Sequence, residues 1–138
     1  MPPRSLAKSN AGVELKLHPD PLTALNTVTA YGPGFIEINN VRHTRAVRVG
    51  ADQPAVEWNV ASFEALRAAD LEELLADRPE VVLLGTGARQ RFPHPALSAA
   101  LARAHVGFEV MDTHAACRTY NILVAEGRRV LAVLLLDA

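Results

Sequence analysis

The chain has 138 residues, of which 49% are hydrophobic, 21% charged and 5% aromatic. That length suits one domain and can bury a core without a disulfide or a structural metal, and the composition excludes collagen-like, coiled-coil and wholly disordered chains. Fourteen Lys and Arg stand against fifteen Asp and Glu, a net charge of −1, which argues against a dedicated nucleic-acid binder because such proteins carry a basic excess.

Cys117 is the single cysteine, so an internal disulfide and a Cys-cluster zinc or iron–sulfur site are excluded. No stretch approaches the ~18 consecutive apolar residues of a membrane span. Met1 to Asn10 has no apolar core of a signal peptide, which makes a cytoplasmic location the expectation.

In chain order, residues 1–12 are polar and read as a flexible segment, and one α/β domain is expected over residues 13–138. Val13–Leu17 alternates apolar and polar residues, the period of a strand. Thr27–Tyr31 and Phe35–Ile38 are rich in strand formers and flank Gly32-Pro33-Gly34, a turn sequence. Asn39-Asn40 is a second turn, since Asn tolerates the left-handed region. Val41–Val49 continues as strand with a break near Thr44. Gly50–Pro54 reads as a loop and Ala55–Asn59 as a last short strand. This half is an antiparallel meander.

The period then changes. Leu71, Leu74 and Leu75 share a helical face, in a helix starting at Ser62 or at Asp70 and ending near Ala76. Val81–Leu84 is a strand buried on both faces. Pro95–His105 reads as a helix with proline in its first turn. Gly107–Met111 is a strand, Asp112 or Thr113 caps a helix that ends at Gly127, and Val130–Leu136 is another apolar strand. The pattern is a βαβαβ unit with right-handed crossovers. The expected fold is therefore a three-layer α/β domain with a central mixed sheet, an N-terminal meander preceding the βαβαβ unit.

Ligands collect beyond the carboxyl ends of strands in such sheets. Two segments fall there. Gly85, Thr86 and Gly87 follow a buried strand, with Arg89 and Arg91 placed to meet an anion, yet Gln90 stands where a dinucleotide loop needs glycine and no Gly-Lys-Ser/Thr is present. The same residues also suit a tight strand exit. Asp112, Thr113, Arg118 and Asn121 lie at and beyond a helix N-terminus, where free N–H groups favour anions. Asp112 and Thr113 also suit simple capping. His114 and Cys117 are three apart, the spacing at which a nucleophile and a base can meet, although a lone Cys among alanines is ordinarily a core residue. His18, His43, His94, His105 and His114 lack the i, i+4 pairing of a helical zinc site, so no metal is expected. Glu72 and Glu73 read as a solvated face, Trp58 as a core anchor, and Tyr120 as a core ring with its hydroxyl at an edge.

Taken in order, Leu83–Gly87, Gly107–Thr113, Ala115–Asn121 and Glu126–Arg128, with Tyr31–Ile36 and Trp58 upstream, resemble a small domain family of unknown function found in bacteria, archaea and eukaryotes. Its eukaryotic relatives include a mitochondrial complex I assembly factor and an adipogenesis-associated cytoplasmic protein. The Arg118-Thr119-Tyr120-Asn121 run is its most specific element here. The resemblance implies a central mixed sheet with helices on one side and extra β-structure on the other, and it carries no established enzymatic activity, cofactor or catalytic residue.

Two function classes follow. One is a non-enzymatic binding or assembly module with a protein partner. The other is a small-molecule site, for an anion or a reaction, at the edge formed by Gly85–Gly87 and Asp112–Asn121. The first is favoured, without cofactor, metal, nucleic acid or membrane.

Overall fold

Turn chemistry builds the first three strands. The structure, a computed structural model, describes residues 25–137, so the predicted Val13–Leu17 strand and the expected flexible segment over residues 1–12 lie outside the described residues. Strands β1 (Val28–Gly32), β2 (Phe35–Ile38) and β3 (Val41–His43) form an antiparallel sheet in that order. Asn39 and Asn40 turn the second hairpin with φ of 52° and 68°, the left-handed pair that matches strand twist. Ile36 and Ile38 point inward and are buried.

The break near Thr44 proves to be a crossing between two sheets. Strands β4 (Val47–Gly50) and β5 (Gln53–Glu57) join a second, five-stranded sheet. The predicted meander is therefore divided. The predicted Gly50–Pro54 loop is a tight turn in which Gly50 pairs with Gln53, so β5 starts at Gln53 instead of Ala55. Pro54 is compatible with this because β5 is an edge strand, where a missing N–H removes no ladder bond.

The two proposed helix starts do different work. Ser62 caps only a short 3₁₀ turn, Phe63–Ala65, its hydroxyl accepting from the Ala65 N–H at 3.3 Å. Helix α1 (Ala68–Glu72) begins after Arg67, and the buried Asp70 carboxylate reaches back to accept the Arg67 N–H at 2.8 Å. A 3₁₀ turn, Glu73–Asp77, continues it, with Glu72 and Glu73 exposed.

Strand β6 (Val81–Thr86) runs longer than predicted and is buried throughout. It lies parallel to both β7 (Gly107–Met111) and β8 (Val130–Leu135), giving the order β5-β4-β8-β6-β7. The segment predicted as one helix from Pro95 to His105 is a 3₁₀ turn, Pro95–Ser98, then α2 (Ala99–Arg103). His105, at φ 59°, has already left the helix. Helix α3 (Thr113–Ala125) is capped by Asp112 and followed by Gly127 at φ 78°, where glycine adopts the left-handed form freely.

The alternating faces of the central sheet bury two cores. Val47, Val49, Val81, Leu83, Ala132 and Leu134 pack with α3 and with Val28, Ile36 and Ile38 of the small sheet. On the other face, Val82, Leu84, Leu131 and Val133 pack with Leu71, Leu74 and Leu101 of the α1–α2 region, and Trp58 joins them at 3% exposure. The helices are thus divided between the faces, and α3 shares its side with the extra β-structure. Helices that follow successive parallel strands lie on opposite faces when the strand order reverses, as it does about β6.

Candidate functional site at the carboxyl edge of the sheet

The parallel strands β6, β7 and β8 end together at Thr86, Met111 and Leu135. Strand β4 runs the opposite way and begins at the same edge, with Val47 opposite Leu134. Both predicted segments therefore border one edge.

Thr113 organises it. Its Oγ1 accepts the Gly87 N–H at 2.8 Å and donates to the Leu135 carbonyl at 2.6 Å, and its own N–H donates to the Gly87 carbonyl at 2.9 Å. One buried side chain thus ties the ends of β6 and β8 to the start of α3. A Cβ on Gly85 would stand 2.8 Å from Thr113 Oγ1 and 2.9 Å from its Cα, so the missing side chain at 85 admits helix α3. Thr86 is buried; its hydroxyl donates to the Arg89 carbonyl at 2.7 Å and accepts the Arg91 N–H at 3.1 Å. Asp112 Oδ1 accepts the Ala115 N–H at 2.9 Å. Asn121 bonds the backbone of Val28 through both of its amide atoms. In this arrangement the polar groups of Thr86, Asp112, Thr113 and Asn121 and the Gly87 N–H are engaged by the chain itself.

The chain also supplies an anion. Asp137, just beyond β8, accepts the Ala88 N–H at 2.6 Å and lies 4.0 Å from the Arg91 guanidinium. Arg91 pairs with Glu64 at 2.8 Å and stacks on the Phe63 ring, 4.6 Å from its centroid. A hydrogen bond from its own backbone, with Arg91 adding to it, holds the Glu64 carboxyl below its ordinary range. Arg89 is exposed. Sequence reasoning missed Asp137 and Glu64. The available signal was a carboxylate immediately after an apolar strand, at the edge where two arginines were already placed.

Arg118 faces outward. Its Nη1 donates to the Tyr31 hydroxyl at 2.8 Å, which pushes the guanidinium further up its basic range. Tyr31 stacks at 4.5 Å on His114, whose Nε2 lies 3.1 Å from the Gly32 carbonyl. A cavity of about 70 Å³ lies beside them, bordered by Gly34, Gly87, Thr113, His114 and Asp137. Cys117 is fully buried in the core, and burial pushes its thiol up to about 12. That leaves it protonated and enclosed, the state of a packing residue and not of a nucleophile. Among the described residues, no group of three or more His, Cys, Asp or Glu is placed to hold a metal ion.

A five-stranded mixed sheet flanked by helices and a small antiparallel sheet, its edge closed by its own side chains, defines a compact class of α/β domain. The chain belongs to the family described as protein of unknown function DUF498/DUF598, which matches residues 28–135. A crystal structure of a Bordetella parapertussis protein is similar at 48% identity and a TM-score of 0.80, covering 85% of this chain and 100% of that one. NADH dehydrogenase [ubiquinone] 1 alpha subcomplex assembly factor 3 of Mus musculus is 37% identical over 78 residues, 55% of this chain and 42% of the relative. A "13 kDa major membrane protein" of Francisella tularensis is 32% identical over 76 residues, 55% of this chain and 62% of the relative. The chain thus spans less than two thirds of the length of either relative. Among the described residues no helix is long and apolar enough to cross a membrane.

Proposed function

We propose that this chain is a protein-docking module that supports the assembly of other proteins. The observation that carries the reading is its similarity to a relative named as an assembly factor. The site geometry is compatible with it: the strand-edge side chains serve the fold, while Arg118 and Tyr31 stay at the surface, and arginine and tyrosine are residue types that anchor protein interfaces. The test is a tagged chain expressed at native level in its own cells, with size fractionation and identification of co-eluting proteins. A defined partner that rebinds as purified protein supports the reading. Elution at the mass of the chain alone, with no change in any complex when the gene is deleted, overturns it.

A second reading, a small anion held at the Ala88 N–H and Arg91, is favoured by one observation. The loop already holds a carboxylate, that of Asp137.

A further inference from the structure

We draw no further inference here: the strongest candidate, the cavity of about 220 Å³ bordered by Leu25, Asp52, Gln53, Val124 and Arg128 beside the start of β8, carries nothing because nothing in the structure shows what covers it.

Discussion

Asn121 closes a ring of two hydrogen bonds on Val28, ninety-three positions away along the chain. Its Oδ1 accepts the Val28 N–H at 2.9 Å and its Nδ2 donates to the Val28 carbonyl at 2.8 Å. The side chain thereby imitates a neighbouring strand and satisfies the outer edge of β1. Its neighbour Tyr120 donates its hydroxyl to the Asn26 carbonyl at 2.8 Å. Two consecutive residues of α3 therefore fasten the entry of the small sheet to the main core.

Replacing Asn121 tests that fastening. Asn121→Ala leaves both backbone groups of Val28 without their partner and should cost about 1–3 kcal/mol. Asn121→Asp should cost more, because a carboxylate cannot donate to the Val28 carbonyl that it faces. Urea unfolding measures both, and an unchanged midpoint for Asn121→Ala would show that water replaces the tie freely.

Thr113 offers a second test, with a built-in control. Thr113→Val keeps the shape but leaves the buried Gly87 N–H and Leu135 carbonyl unpaired, a loss of about 1–3 kcal/mol. Thr113→Ser restores the hydroxyl and should recover most of that stability. Gly85→Ala attacks the same contact from the other side, since its Cβ would meet Thr113 Cα as well as the Oγ1 that is held by its hydrogen bonds. Equal unfolding midpoints for the Val and Ser variants would remove the hydroxyl from the account.

The contrast between fold and site explains what a single sequence discloses. Apolar runs such as Val81–Leu84 and Val130–Leu136 marked the buried strands because hydrophobic burial depends on residue type at a local period. The Asn39-Asn40 turn was readable for the same reason, its backbone preference being local. The crossing at Thr44 was visible only as a break, since nothing near it states that the next strand pairs with Leu131–Leu134. The helix starts were misassigned because Ser62 and Asp70 both suit caps, and the packing of Leu66 and Leu71 decides where the chain can coil. At the strand edge, small and basic residues stand together in the sequence without any sign of what meets them. Which carboxylate stands there is a long-range matter, and Asp137 lies 49 positions from Ala88.

The protonation of Cys117 gives a stability prediction with a definite sign. Burial raises the folded thiol from its ordinary value of 9.0 to about 12. Between those limits the unfolded chain has released the proton and the folded chain retains it. The stability contributed is therefore complete below pH 9 and lost as pH rises toward 12, at about 1.4 kcal/mol per pH unit. Burial also raises the Tyr120 hydroxyl, so part of the alkaline loss belongs to it. Cys117→Ala removes the cysteine share alone, and its stability should fall less steeply above pH 9 than that of the native chain. A thiol reagent at neutral pH should modify Cys117 only as the protein unfolds. Rapid labelling of the folded chain would contradict its burial.

Asp137 provides the last prediction, and it separates the two readings of the strand edge. Its carboxylate occupies the Ala88 N–H and approaches Arg91, so an external anion must compete with a group already tethered in place. Asp137→Ala removes the competitor and leaves Arg91 with Glu64 as its ion-pair partner among the described residues. The variant should melt at a lower temperature than the native chain in dilute buffer. If the cradle is a general anion site, inorganic phosphate at constant ionic strength should raise the melting temperature of Asp137→Ala more than that of the native chain, because a ligand stabilises the state it binds. Equal responses would mean that the loop is shaped for the chain's own carboxylate, which then acts as a clasp between β8 and the Gly87–Ala88 turn. In that case the small-anion reading fails, and the surface arginines become the remaining groups through which this edge can meet another molecule.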